Sequence, residues 1–382
     1  MSEKLSVLFD LQMGKTPPRD VSEYWNDGSN RWISIADLST YSKYVGDTKE
    51  TITDLSIKKC GIKSVPPNTV IMSFKLSIGK VAITIEPVYT NEAIMAFIDK
   101  GVRKISSDYL YYLFSAMDWS KGSNKAVKGI TLNKAVLSDY EIDLPDFNVQ
   151  CERANRLTKA YQLIVLRKKQ LERLDDLIKS QFLEMFGVFF DDVSSHEKLK
   201  AICAFIDYRG KTPEKSDSGI PLITAKNVRA NAFSVEPQEF IPTYIYDKVM
   251  TRGFPKHNDV LFTTEAPLGN VCKIPAIYEK FCVGQRLITM QPKTGILTSE
   301  YLEMALLSDI FQEQVWKHSS GSTVKGIRSK ELVELTLPVP PIALQNRFAE
   351  FVQQVDKSKF RIQQSLEKLE LCYNALMQEY FG

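Results

Sequence analysis

Residues 317–328, KHSSGSTVKGIR, gather Lys317, Lys325 and Arg328 with Ser319, Ser320, Ser322 and Thr323 around two glycines. Side chains of these types donate hydrogen bonds to phosphate oxygens and to base edges, and polar Gly-rich turns can approach an anion closely. A solvated surface loop uses the same residues, so the run by itself leaves both readings open. A second basic turn, Gly14-Lys15-Thr16-Pro17, recurs as Gly210-Lys211-Thr212-Pro213. Gly and Pro punctuate turns in any protein, so these tetrapeptides are expected first of all to be turns that open a domain.

Bond-making chemistry is harder to find. His196, His257 and His318 are scattered and form no Ser/His/Asp or Cys/His set. Cys60, Cys151, Cys203, Cys272, Cys282 and Cys372 contain no CxxC pair, which argues against a zinc site and against a disulfide framework. The expectation is reduced, buried thiols in a cytosolic chain. There is no Asn/Asp-Pro-Pro-Tyr/Phe methyl-transfer motif, since Val65-Pro66-Pro67 and Pro340-Pro341 lack the neighbours it needs. A glycine-rich cofactor loop and GxxxxGK[ST] are absent as well. The chain is therefore expected to catalyse nothing and to carry no cofactor of its own.

Composition fits a protein of this kind. With 382 residues, 44% hydrophobic and 25% charged, the chain should form two or three ordinary domains. No apolar run approaches a membrane span, and MSEKLSVLFD has no secretory h-region. Net charge is only +3, and residues 1–148 and 188–341 each carry 18 basic and 18 acidic side chains. Nucleic-acid binding would have to rest on a one-sided patch, because bulk basicity is absent.

The elements that would position these residues come in two copies. QLERLDDLIKSQFLEMFG (170–187) returns as SLEKLELCYNALMQEYFG (365–382), 195 positions later. Both endings lie in heptad patterns. Leu157, Ile164, Leu171, Ile178 and Met185 recur every seven residues, as do Val355, Ile362, Leu369 and Leu376. Val352, Leu366 and Tyr373 form a companion series broken by Lys359. In the first segment the companions are Arg153, Ala160, Arg167, Leu174 and Gln181, a weaker seam. The spacing predicts two long helices packed on each other as a coiled coil, with Gly187 in the helix-stop position. Between them, short apolar runs bounded by Gly, Pro and Asn (VIMSF, KVAITI, VLFTT, LITM) predict strands. Tyr109, Tyr111, Tyr112 and Phe114 fit a core helix better than a base-stacking platform.

Further blocks repeat in order. Asp37 stands opposite Asn227, Gly79 opposite Gly269, Asn91-Glu92 opposite Gly284-Gln285, Val127–Ile130 opposite Val324–Ile327, and Gln150 opposite Gln345. This duplicated order, ending in GSTVKGIRSKELVELTLPVPPIALQNRF (321–348), resembles the specificity subunit of Type I restriction–modification enzymes. The first copy departs from the pattern at Leu144-Pro145-Asp146-Phe147, where a double proline is usual, and both copies have Lys-Gly (128–129 and 325–326) where a glutamine often sits. The resemblance implies a mixed α/β (α+β) fold with two target recognition domains, 1–148 and 188–341. Each would be followed by a spacer helix, 149–187 and 342–382, the pair forming an antiparallel coiled coil with pseudo-two-fold symmetry through Leu157, Ile164, Leu171, Leu174, Ile178, Val352, Val355, Ile362, Leu366, Leu369, Tyr373 and Leu376. It implies double-stranded DNA, two methyltransferase subunits and restriction subunits as partners, with S-adenosylmethionine, ATP and Mg on those partners.

Residue types then nominate the DNA contacts. In the first copy these are Lys15, Arg19, Arg31, Lys75, Lys121, Ser123, Asn124, Lys125 and Lys128. In the second they are Arg209, Lys211, Lys226, Asn227, Arg229, Lys317, Ser319, Ser320, Ser322, Thr323, Lys325 and Arg328. Two diverged halves predict an asymmetric target, where a homodimer would predict a palindrome. A stand-alone DNA-binding regulator with an internal coiled-coil dimeriser, or an enzyme with an unrecognised site, are the alternatives.

Overall fold

The computed structural model describes residues 2–75, 77–119, 132–208 and 213–382. The chain divides into two compact units, residues 1–167 with 365–382, and residues 168–364.

The first unit is built on a four-stranded antiparallel sheet of β1 (Phe9–Met13), β2 (Val70–Ser73), β3 (Val81–Ile83) and β4 (Ile94–Asp99), in the order β1-β4-β2-β3. Successive side chains of a strand point to opposite faces, and here both faces are covered. Val70, Met72, Val81, Ile83, Met95 and Phe97 face a cluster containing Tyr109, Leu110, Tyr112 and Phe114. Ile71, Ala82, Ile94 and Ala96 face Ile33, Leu38 and Val45. The tyrosine-rich helix Ser107–Ala116 is thus core, as expected, with Tyr111 only half-buried. A smaller sheet pairs Asn30–Ile33 antiparallel with Glu50–Ile52 and parallel with Tyr89–Thr90.

The second unit repeats this topology. β5 (Cys203–Asp207), β6 (Val260–Thr263), β7 (Val271–Lys273) and β8 (Leu287–Pro292) lie in the order β5-β8-β6-β7. Its smaller sheet pairs Ile220–Ile223 antiparallel with Phe240–Ile241 and parallel with Cys282–Val283. The repeated Asp37/Asn227 position has a local cause. Each side chain closes a capping box on a short helical turn, Asp37 with Ser34 and Asn227 with Thr224.

Two long helices, Phe147–Asp191 and Ile342–Phe381, contribute to both units. Within each unit their segments run antiparallel. In the first unit Tyr161 meets Tyr373 with ring centroids 6.2 Å apart, and the Arg153 guanidinium lies 4.9 Å from the Tyr380 ring. In the second, Phe182 meets Phe348 at 5.6 Å, and Lys359 Nζ donates to Asp175 at 2.6 Å. Two of the seam positions that looked wrong for a coiled coil, Arg153 and Lys359, therefore each have a partner within their own unit. Leu157, Ile164, Ile178, Val352, Val355 and Leu366 are buried, while Leu171, Leu174, Ile362, Leu369, Tyr373 and Leu376 are half-buried.

Each long helix is pinned at its start by a buried glutamine. Gln150 Oε1 accepts from Ser106 N at 3.0 Å and its Nε2 donates to Pro145 O at 2.8 Å. Gln345 Oε1 accepts from Thr298 N at 3.0 Å, and its Nε2 donates to Ile296 O and Pro340 O. The amide thereby ties the proline turn that precedes the long helix to the start of a neighbouring helix.

Two expectations are corrected. Gly187 does not stop the first long helix, which continues to Asp191. Phe190 is buried against Phe182, and that contact offsets the modest helical penalty of an interior glycine. Nor are all the thiols buried. Cys203, Cys272 and Cys282 are, and burial pushes Cys203 and Cys282 up to about 12, but Cys151 and Cys372 are exposed.

Candidate nucleic-acid interface

In the second unit three loops converge on a cavity of about 310 Å³. The first leaves β6 at Thr264-Glu265. The second enters β8 at Gln285-Arg286. The third is the 317–328 run, which supplies Ser320, Val324, Gly326, Ile327 and Arg328. The run is not a free coil. Ser320 and Gly326 exchange backbone hydrogen bonds of 2.9 and 3.0 Å, and Ile327 N donates to Thr264 O at 3.0 Å while its side chain is buried. That anchoring leaves Lys317, Ser320, Ser322, Thr323, Lys325 and Arg328 exposed, with Ser319 half-buried and its hydroxyl donating to Trp316 O. Among the described residues, Lys317, Lys325 and Arg328 have no ion-pair partner.

The other nominated residues of this unit lie elsewhere. Arg229 is exposed at the end of the short strand Val228–Arg229. Lys226 is bound to Glu239 at 3.0 Å, and Lys215 holds the same carboxylate at 2.7 Å. Hydrogen bonds from Lys215 and then Lys226 keep Glu239 below the usual carboxylate range. Asn227 is a correction. It is buried, its Oδ1 accepts from Thr224 N and Oγ1, and its Nδ2 donates to Ser234 O and Pro237 O. With its amide consumed inside the fold, Asn227 has nothing left to offer a base edge. Arg209 and Lys211 lie outside the described residues.

In the first unit the structure brings Thr16, Arg19 and Lys75 toward Glu92. Gly14 permits this, because a Cβ there would meet the carbonyl oxygens of Thr90 and Asn91 at 2.2 Å. Thr16 Oγ1 donates to Glu92, and this bond, helped by Lys75 and Arg19, holds Glu92 below the usual range. Arg19 is ion-paired with Glu50, and its guanidinium lies 3.9 Å from the Trp25 ring centroid. Lys15 Nζ donates to Cys60 O. Arg31 stands apart, bound to Asp47 at 3.3 Å and Glu86 at 2.7 Å. Lys121, Ser123, Asn124, Lys125 and Lys128 lie outside the described residues.

Backbone hydrogen bonds align the two sites residue by residue. Phe74 N donates to Ala93 O at 3.0 Å, and Thr264 N donates to Arg286 O at 2.9 Å. Gly79 N donates to Ser73 O as Gly269 N does to Thr263 O, both at 2.9 Å. Lys75 therefore occupies the place of Glu265, Glu92 that of Gln285, and Ala93 that of Arg286. Sequence reasoning missed Glu265 and Arg286. The pairing of Asn91-Glu92 with Gly284-Gln285 stopped one residue short of the arginine.

Among the described residues no group of three or more His, Cys, Asp or Glu side chains is placed to hold a metal ion, and no helix is long and apolar enough to cross a membrane. The sequence model of the Type I restriction modification DNA specificity domain matches residues 2–176 and again residues 197–371. The chain is 22% identical to the Type I restriction enzyme MjaIX specificity subunit of Methanocaldococcus jannaschii, over 98% of this chain and 91% of that protein. Its fold is similar to that of the Type-I restriction-modification system S subunit from M. genitalium, with TM-score 0.58 and 15% identity over 100% of this chain and 96% of that one. A chain from a structure of the type I R-M system gives TM-score 0.53 at 16% identity, over 100% and 97%.

Proposed function

The chain belongs to the Type I restriction modification DNA specificity family, and from that premise we propose that it reads a split, asymmetric DNA sequence, one half through each unit. In this reading residues 1–148 and 188–341 are the recognition domains and the two long helices are the spacer. The chain positions two methyltransferase subunits, and restriction subunits join that assembly. S-adenosylmethionine, ATP and Mg²⁺ belong to those partners, and this chain contributes recognition and no catalysis.

One observation carries the proposal. The same backbone framework, matched hydrogen bond for hydrogen bond, presents Lys75, Glu92 and Ala93 in one unit and Glu265, Gln285 and Arg286 in the other. Reading two different base sequences from one duplicated scaffold requires such a division, with the scaffold kept and the side chains exchanged. The partly tied-up basic residues fit a reader that shares the DNA with its partners, since phosphate contacts supply most non-specific affinity.

Co-expression with the partner methyltransferase, followed by sequencing of methylated adenines, tests this. The expected result is one split asymmetric motif; an active methyltransferase with no new motif overturns it. Replacing residues 188–341 with the second domain of another family member should change only one half of the motif. Lengthening the first long helix should change the gap and leave both halves intact. Tight site-specific binding by the chain alone, with no response to a methyltransferase, would favour a stand-alone regulator instead.

A further inference from the structure

We infer that Arg286 and Glu265 are the pair through which the second unit recognises a G·C base pair, Arg286 taking the guanine and Glu265 the cytosine. The inference rests on the DNA-reading role proposed above and adds to it the identity of one base pair.

Arg286 has φ +68°, a left-handed backbone that side chains other than Gly, Asn and Asp adopt rarely. Nothing in the fold calls for an arginine there. Thr264 holds its carbonyl twice, through N at 2.9 Å and Oγ1 at 3.3 Å, and both bonds would serve any residue. A strained residue held rigidly by its surroundings is a mark of function. The guanidinium Nε lies 3.1 Å from Glu265 Oε1, with the two side chains 54% and 45% exposed. An ion pair that open to water contributes little stability, so stability does not account for the arrangement.

Base recognition does account for it. In the major groove guanine displays two acceptors, O6 and N7, which match the guanidinium fork. Its partner cytosine displays an N4 donor, which a carboxylate accepts. A G·C pair thus offers side by side what adjoining Arg and Glu side chains need, whereas neither base of an A·T pair offers the two-acceptor edge that the fork matches. The pair lines the cavity formed with the 320–328 loop, and Lys325 and Arg328 on that loop are exposed for phosphate contact. In the first unit Ala93 and Lys75 hold the equivalent places, so this reading is confined to one half of the target.

The test uses the chain assembled with its methyltransferase subunit, with methylated motifs read by sequencing. Three variants serve: Arg286→Gly, which suits a φ of +68° and so keeps the fold; Arg286→Lys, which keeps the charge and loses the fork; and Glu265→Gln. Each should relax the same single G·C position in one half by on the order of 10- to 100-fold in discrimination, leaving every other position intact. The assignment is overturned if the variants keep the wild-type motif, if methylation falls uniformly at all sites, if Arg286→Lys alone retains full discrimination, or if the relaxed position is not G·C. A wild-type assembly that yields no split motif would overturn the proposed function instead, so the two failures are distinguishable.

Discussion

Among the described residues, the two units hold their basic residues differently. In the first, Arg19 and Arg31 are spent on Glu50, Asp47 and Glu86, and Lys75 sits near Glu92. In the second, Lys317, Lys325 and Arg328 stand exposed on a loop whose backbone is anchored at Gly326 and Ile327. A lysine held by neighbouring carboxylates has already satisfied its charge, and a phosphate must compete for it. One held only by its backbone is ready. Charge count alone, 18 against 18 in both globules, conceals this difference.

That contrast can be broken experimentally. The largest effect is expected from removing Lys317, Lys325 and Arg328 together. In the methyltransferase-bound assembly this should weaken DNA binding by on the order of 100-fold near physiological salt and flatten the salt dependence by about three units of slope, measured by titration at several salt concentrations. Next comes the glutamine pair. Gln345→Leu strands one N–H and two carbonyls, whereas Gln150→Leu strands the Ser106 N–H alone, because Pro145 O still accepts from Arg103 at 3.3 Å. Costs of about 3 and about 1 kcal/mol are expected, read as loss of hydrogen-exchange protection at the start of the corresponding long helix. Gly187→Ala should stabilise the second unit by about 0.5–1 kcal/mol, because the position is helical and an added Cβ meets nothing within 4 Å. The smallest change is expected from Arg31→Gln. Losing two exposed ion pairs should cost less than about 1 kcal/mol and leave DNA affinity nearly unchanged, in contrast to the triple variant.

The duplicated architecture was legible because it is written in spacing. Heptads, strand-length apolar runs and matched blocks all follow from the periods of helices and strands, and the family resemblance rests on their order. Gln150 and Gln345 were visible as a match, yet their role was not, since it depends on Ser106 and Thr298, more than 40 positions away. The nominated site residues were chosen by type, and type does not report burial. Asn227 looked like a base reader and is a saturated cap. Gly187 looked like a helix stop because glycine usually is one, but Phe190 beyond it had core to reach. Arg286 escaped notice because its left-handed backbone is a property of conformation, with no residue-type signal to announce it.

The Thr264–Arg286 backbone bond and its counterpart, Phe74–Ala93, also bear on how such a protein changes over time. The loops at the candidate interface are fastened by main-chain atoms, which every residue type supplies. At Lys75, Glu265 and Arg286 the side chains are left with little duty in folding, whereas Ala93 is buried and Glu92 accepts from Thr16. Substitution at positions 75 and 265, and at 286 where the backbone is respected, should therefore cost the scaffold little. A lineage of these proteins would then acquire new preferences one residue at a time, each intermediate remaining a folded, working protein.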